Sequence, residues 1–193
     1  GKSPMVYKLP GDEWQKFATL RLLYTYMYTH PGAKLLFMGN EFAQTSEWNY
    51  KSELDWELLQ FDCHQQMQDF VRDLNHLYKT EAALHQLQFD TKGFEWVDLD
   101  HRAESVIAYM RKGKNKNNNI LVVLNMTPVV RKDWKLRVKG KAAWTEIFNS
   151  DSKQYWGTGN VYNPSPKITL VDKKKGIYEI NLHLPALGGI ILQ

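Results

Sequence analysis

Hydrophobic positions along this chain repeat every three to four residues up to about residue 90, and every second residue after it. The first spacing is that of a helix with one apolar face, and the second is that of strands with one buried face. The pattern therefore predicts two parts, residues 1–90 and residues 91–193, with the boundary where the period changes.

Two amphipathic helices are predicted in the first part. The first begins near Glu13, where Asp12 supplies an N-cap, and ends at Pro31, which cannot continue a helix. The second runs over about residues 64–79, and a looser helical piece follows over residues 81–90. Their apolar positions are Phe17, Leu20, Tyr24, Met27 and Tyr28 in the first helix and Met67, Phe70, Val71, Leu74, Leu77 and Tyr78 in the second.

A short apolar run at residues 35–38 lies between these helices and predicts a strand buried on both faces. Gly39 ends the run, so Asn40 and Glu41 would stand at the carboxyl end of the strand. In a parallel α/β barrel the substrate binds at that end. The alternative is a buried strand that leads into an ordinary surface loop, and the spacing alone does not separate the two.

The second part predicts seven or eight short antiparallel strands separated by turn residues, which is typical of a β-sandwich. Residues 120–124 form a continuous apolar run, which indicates a central strand. The alternating segments are residues 94–99, 105–111, 134–139, 145–148, 167–171 and 177–184.

Several short motifs occur in one order at close spacing, and together they resemble the C-terminal part of 1,4-α-glucan (glycogen) branching enzymes. These enzymes belong to the α-amylase superfamily, glycoside hydrolase family 13. The motifs are Pro10-Gly11-Asp12-Glu13-Trp14, His30-Pro31-Gly32, Phe37-Met38-Gly39-Asn40-Glu41-Phe42, Glu47-Trp48-Asn49, Leu54-Asp55-Trp56, Gly93-Phe94-Glu95-Trp96, Asn125-Met126-Thr127-Pro128 and Asn149-Ser150-Asp151.

The resemblance implies a fold class. One helix, one strand and one helix cannot form a (β/α)₈ barrel, which takes about 250 residues and eight strands. The chain is then α+β: residues 1–90 are the last helix–strand–helix of a TIM barrel, and residues 91–193 are the all-β antiparallel sandwich that follows it.

The resemblance also implies an activity: an α-1,4 glucan chain is cleaved and transferred to a 6-hydroxyl, forming an α-1,6 branch in glycogen or starch biosynthesis. A retaining mechanism of this kind needs a carboxylate nucleophile and a carboxylic acid. In the family these acids precede the matched region, so no catalytic residue is assigned here. The chain alone is expected to be inactive, and its partners are α-glucan (glycogen, amylose, amylopectin) and the N-terminal part of the same enzyme.

Four residues are candidates for substrate binding. Asp12 and Trp14 stand at the start of the first helix, Glu41 follows the predicted strand, and Trp96 opens the second part. Sugar rings stack their C–H faces on aromatic rings, and their hydroxyls pair with carboxylates. The alternative for each Trp is core packing, and the alternative for Glu41 is a structural hydrogen bond within the loop.

Composition limits the classes of partner and the cellular compartment that we expect. The formal net charge is only +4, and the lysine clusters at residues 112–116 and 173–175 adjoin turn residues, so we interpret them as solvated hairpin tips and expect no nucleic acid. No apolar stretch approaches membrane-spanning length. One cysteine, Cys63, suits a reducing cytoplasm. No metal or cofactor motif is present.

Two other classes of protein remain open at this point. One is a stand-alone glucan-binding β-sandwich with a helical extension, and the other is a structural interaction domain without a ligand. A solitary buried strand at residues 35–38 favours the barrel, because a self-sufficient binding module has no use for it.

Overall fold

The computed structural model describes residues 3–101 and 103–193, and it has three layers. A helical layer packs on one face of a five-stranded antiparallel sheet, and a three-stranded antiparallel sheet packs on the other face. The two sheets form the predicted β-sandwich, so the all-β antiparallel prediction for the second part is confirmed.

The helical layer contains α1 (Glu13–Thr29), α2 (Asp62–Thr80) and the short α3 (Ala82–His85). Asp12 caps α1 as predicted: its carboxylate accepts from the Gln15 backbone N–H, and the Gln15 side chain accepts from the Asp12 backbone N–H. The helix ends at His30, before Pro31, also as predicted. On α2 the predicted apolar stripe is buried from Met67 to Leu77.

The described residues form eight strands: β1 (Phe94–Asp98), β2 (Val106–Arg111), β3 (Ile120–Asn125), β4 (Arg131–Lys139), β5 (Glu146–Asn149), β6 (Lys167–Asp172), β7 (Ile177–Leu184) and β8 (Gly188–Leu192). The larger sheet has the order β1-β2-β3-β8-β5, and the smaller has the order β4-β7-β6. Strand β8 was not among the predicted segments, because Gly188-Gly189 breaks the alternating pattern ahead of Ile190.

The position of the central strand β3 between two packed layers explains its continuous run of apolar residues. Val122 and Leu124 face the helices, whereas Leu121 and Val123 face the smaller sheet, and all four are buried. A strand covered on both faces favours a continuous apolar run. The prediction of a central strand at residues 120–124 is therefore confirmed.

Helix α1 is buried on more sides than its predicted stripe, because it lies between α2 and the larger sheet. Thr25 and Arg21 are fully buried along with the apolar positions. Gly189 of β8 allows α1 to approach the larger sheet closely. A Cβ built at this position would lie 2.9 Å from the Thr25 Cγ2 and 2.6 Å from the Leu124 Cδ2. The absence of a side chain at this position lets the helix sit directly on the strand.

Two buried arginines join the helical layer to the β part. The Arg111 guanidinium, on β2, donates to the backbone carbonyls of Thr29, Leu84 and Gly93, and so reaches the ends of α1 and α3. The Arg21 Nε donates to the Ser150 carbonyl at 2.8 Å. Burial lowers the pKa of Arg21 to about 10, and the charge of Asp151 opposes this shift.

The prediction of a buried strand at residues 35–38 is wrong for this structure. Residues 33–37 have no regular secondary structure, and Leu35 is 77% exposed, Phe37 46% and Met38 39%. The physical reason is that a strand needs neighbouring strands to satisfy its backbone hydrogen bonds. None of the eight strands in the described residues pairs with this segment, so this part of the TIM-barrel prediction has no support in the fold.

Candidate functional site

Asp12 and Trp14 lie at the start of α1. The Asp12 side chain is exposed, and one of its oxygens accepts the Gln15 N–H at 2.8 Å, so the carboxylate already serves as a helix cap. Trp14 is half-buried and belongs to neither of the two hydrophobic clusters found among the described residues. Free N–H groups in the first helical turn lie close to both residues. The helix start thus offers a ring and polar groups together.

Glu41 lies in a single 3₁₀ turn, Asn40–Phe42, rather than at the end of a strand. The Tyr24 hydroxyl of α1 donates to the Asn40 carbonyl at 2.9 Å and fixes the turn on the helix. Burial, and then the charge of Glu41, raises the pKa of Tyr24. Glu41 is half-buried and faces a hollow of about 450 Å³ whose other wall is formed by Arg72 and His76 of α2.

The backbone around Glu41 is constrained on both sides. Met38 and Ala43 have φ values of 22° and 58°, in a region that side-chain-bearing residues rarely adopt. Gly39, with φ 83°, leaves room for the Gln44 side chain, which a Cβ would meet at 2.7 Å. Such conformations persist where the surrounding contacts determine them, and they cluster at functional sites.

Trp96 lies on β1, and the residue is 42% exposed. Its buried side contacts Phe94 and Tyr109 edge to face, with ring centroids 4.9 Å and 5.7 Å apart. The ring is therefore held firmly while much of its surface stays open. This arrangement suits a stacking surface, although it also contributes to the packing between β1 and β2.

The four predicted residues do not form one site. Trp96 adjoins His30 at the C-terminal end of α1, with ring centroids 6.4 Å apart, whereas Asp12 and Trp14 stand at its N-terminal end. A helix of 17 residues is about 25 Å long at 1.5 Å per residue. A short sugar cannot contact both ends, and only a long chain could span them.

A patch of exposed rings was not among the predicted site residues. Phe37 contacts Trp48 edge to face at 5.3 Å, and Trp48 lies 6.5 Å from Tyr50. Trp48 is 41% exposed and Tyr50 is 75% exposed. We call Phe37, Trp48 and Tyr50 the aromatic patch. The signal in the sequence was the pair of Trp residues in a long polar loop, but only the fold brings Phe37 to Trp48.

Outside residues 1, 2 and 102, no group of three or more His, Cys, Asp or Glu side chains is arranged to hold a metal ion. No helix in that part of the chain is long and apolar enough to cross a membrane.

Comparison with known families identifies the β part first. Residues 96–193 match the family described as "Alpha amylase, C-terminal all-beta domain". Because this match covers half of the chain, the protein belongs to the family that carries this domain. The sandwich of eight antiparallel strands agrees with that assignment.

Curated relatives match along the whole chain. The 1,4-alpha-glucan branching enzyme GlgB of Aquifex aeolicus (strain VF5) is 45% identical over 193 residues, which are 100% of this chain and 31% of that protein. The protein of the same name from Cellvibrio japonicus (strain Ueda107) is 47% identical over 194 residues, which are 100% of this chain and 26% of that protein. The chain thus spans between a quarter and a third of the length of these relatives.

Solved structures share the fold at low identity. The debranching enzyme from Nostoc punctiforme has a TM-score of 0.60 and 16% identity, covering 91% of this chain and 30% of that one. The alpha-amylase from H.orenii has a TM-score of 0.51 and 19% identity, covering 94% of this chain and 35% of that one. At these identities the likeness concerns the fold alone, but it includes the helical layer.

Proposed function

We propose that this chain is the C-terminal part of a 1,4-α-glucan branching enzyme, a hexosyltransferase that cleaves an α-1,4 chain and joins it to a 6-hydroxyl. The observation that carries the proposal is the identity of 45% and 47% with two branching enzymes along the whole chain. An identity of this size over the helices as well as the sandwich favours the whole-enzyme assignment over a stand-alone binding module.

Residues 1–90 complete the catalytic barrel in this proposal, and residues 91–193 form the C-terminal sandwich. The exposed apolar segment at residues 35–38 supports it, because Leu35 and Phe37 face solvent without strand partners. Neighbouring barrel strands, supplied by the preceding part of the enzyme, would pair with this segment and cover it. Uncovered apolar surface costs about 25 cal/mol per Å², which gives such pairing a driving force.

The chemistry is divided between the two parts of the enzyme. Retention requires a nucleophilic carboxylate and an acid about 5–5.5 Å apart, and both are placed in the preceding part. This chain supplies residues that bind the glucan. Glu41 lines the cleft, and Asp12, Trp14 and Trp96 contact the hydroxyls and ring faces of the glucan. The single cysteine, Cys63, fits an enzyme that works in the reducing cytoplasm on glycogen.

A branching assay tests the proposal. Amylose is incubated with this chain alone and with the longer protein encoded by its gene, and α-1,6 linkages are counted beside the iodine absorbance. We expect branching from the longer protein and none from the chain alone. Branching by the chain alone would show that its own carboxylates are catalytic, and no branching by the longer protein would overturn the assignment.

A further inference from the structure

Three turns of the β part meet at one end of the sandwich. The β4–β5 and β6–β7 turns are joined by a hydrogen bond of 2.8 Å from the Gly140 N–H to the Gly176 carbonyl. The β2–β3 turn lies across a cavity from Gly140, since Asn117 and Gly140 line the same space. Turns that are far apart in the sequence thus form one surface.

The cavity between these turns has a volume of about 630 Å³, which lies in the range of small-molecule sites. Its lining includes Lys112, Asn119, Lys139, Lys141 and Trp144. A second hollow of about 340 Å³ shares Lys112, Asn119 and Lys139 with it and extends towards Trp96. The two form a groove at the edge between the sheets.

Positive charge is concentrated at this end. The described side chains of the three turns and the strand ends beside them include seven lysines, against the carboxylates of Glu95 and Asp172, whereas the whole chain has a net charge of only +4. The lysines are Lys112, Lys114, Lys139, Lys141, Lys173, Lys174 and Lys175. The sequence interpretation of solvated tips accounts for each turn separately, but not for their convergence around a cavity.

Two residues that line the cavity also carry polar atoms without hydrogen-bond partners in the described part of the chain. The Trp144 Nε1 and the Asn119 Oδ1 are buried and have no hydrogen-bond partner among the described residues. An unpaired buried polar group is costly, and these two would be satisfied by an acceptor and a donor. A sugar hydroxyl is both.

Lys141 is the cation best placed to receive an anion. Its ammonium lies 4.6 Å from the centre of the Trp144 ring, and it forms no ion pair with a described carboxylate, whereas Lys112 pairs with Glu95. Burial lowers the pKa of Lys141, so a nearby anion would restore its preference for the charged form. Lys139 stands on the same wall and is exposed.

We propose that this cavity binds a phosphorylated sugar, with the phosphate on Lys139 and Lys141 and the hydroxyls on Asn119 and Trp144. The phosphate would draw the Lys141 ammonium off the face of the Trp144 indole. The sugar phosphate could be a free monosaccharide or an ester on a glucan chain, and both present the same chemistry. The proposal does not depend on the branching activity.

Titration calorimetry of the full chain with glucose 6-phosphate and with inorganic phosphate tests the proposal at low salt. We expect saturable binding of both, tighter for the sugar phosphate. Lys141→Gln should weaken both by about tenfold, the loss of one charge-assisted contact. Asn119→Ala should weaken glucose 6-phosphate by roughly fivefold and leave inorganic phosphate unchanged, a split that a general loss of structure would not produce.

Lys173→Gln is the matched control, because it removes one charge from the same end but lies outside the cavity lining. It should change binding by less than about twofold, as expected for a screened surface charge. A phosphorylated malto-oligosaccharide that binds at least as tightly as glucose 6-phosphate assigns the site to a glucan ester, and its exclusion assigns the site to a free sugar phosphate. The proposal fails if neither phosphate binds saturably, if Lys173→Gln weakens binding as much as Lys141→Gln, or if plain glucose binds as tightly as its phosphate.

Discussion

Two continuous apolar runs of this chain differ in structure: one forms a buried strand and the other does not. Residues 120–124 become β3, which lies between β2 and β8 and is buried on both faces. Residues 35–37 have no regular secondary structure and Met38 lies in a turn, and Leu35, Phe37 and Met38 are exposed. The runs are similar in length and hydrophobicity, so composition does not explain the difference. The difference is that β3 has neighbouring strands to pair with, whereas residues 35–38 have none in the described part of the chain.

The contrast shows what kind of surface the segment at residues 35–38 is. Unpaired backbone N–H and C=O groups and exposed apolar side chains favour pairing with further strands. Helices α1 and α2, by contrast, share one buried core with the larger sheet. In the proposed assignment, the open segment and the aromatic patch form the surface that the preceding part of the enzyme would cover.

The largest expected effect comes from breaking the joint between the helices and the β part. Arg111→Met leaves the buried carbonyls of Thr29 and Leu84 without this donor, whereas the Gly93 carbonyl keeps the Lys112 backbone N–H. We expect the free energy of unfolding to fall by about 3–5 kcal/mol, as measured by urea denaturation.

Arg137→Met is the control for this change, since its side chain is exposed beside Glu179. It should change stability by less than about 0.5 kcal/mol. A loss under 1 kcal/mol for Arg111→Met would mean that the joint is not held by this guanidinium.

A matched pair of truncations compares the two apolar runs directly. Leu124→Ala opens a cavity beneath Gly189 in the closed core and should cost about 2–5 kcal/mol. Leu35→Ala, at an exposed position, should cost less than about 0.5 kcal/mol in this chain. Thermal melts of the two variants give the comparison, and equal losses would show that residues 35–38 are already buried.

The substitution Trp14→Ala distinguishes between two roles of Trp14, stacking on a sugar and packing in the core. Because the ring is half-buried and outside both clusters, the melting temperature should change little. Affinity for amylose, measured by gel retardation of the longer protein, should fall by about 1–3 kcal/mol, by analogy with base–aromatic stacking. Unchanged retardation together with a large melting shift would place Trp14 in the core instead.

The smallest expected effect is a pH dependence at the junction between α1 and the open segment. Burial, and then the charge of Arg111, lowers the pKa of Lys34 to about 8. In the unfolded chain a lysine titrates near 10.4, so between about pH 8 and 10 the unfolded state holds more protons. Stability from this group therefore rises with pH across that window.

Lys34→Met should remove this rise, whereas Lys8→Met, at an exposed position, should keep it. Urea midpoints at several pH values between 7 and 9.5 give the profiles. Parallel profiles for Lys34→Met and the unaltered chain would contradict the assignment.

Local signals in the sequence predicted much of this fold. Asp12 and Pro31 mark the ends of α1 through short-range backbone chemistry, and the run at residues 120–124 marks a doubly covered strand. The strand predicted at residues 35–38 failed because strand formation depends on partners that no local pattern contains. Strand β8 was missed because Gly189 is there to admit Thr25, which is distant in the sequence.

The candidate site was less predictable than the fold, for the same reason. Trp14 and Trp96 stand out as residue types, but only the length of α1 shows that they are separate. The contact of Phe37 with Trp48 and the cavity between Lys112 and Lys141 both depend on how turns meet in space. The three carbonyls that Arg111 binds lie 18, 27 and 82 residues away, so its role could not be inferred from its neighbours.

Hydrogen exchange at residues 35–38 tests the central claim most directly. The amides of this segment are compared in the chain alone and in the longer protein encoded by its gene. Barrel strands that cover the segment should slow its exchange by on the order of 100-fold or more, because the amides become ladder donors with an opening free energy of a few kcal/mol. Equally fast exchange in both proteins would contradict the claim that residues 1–90 complete a barrel.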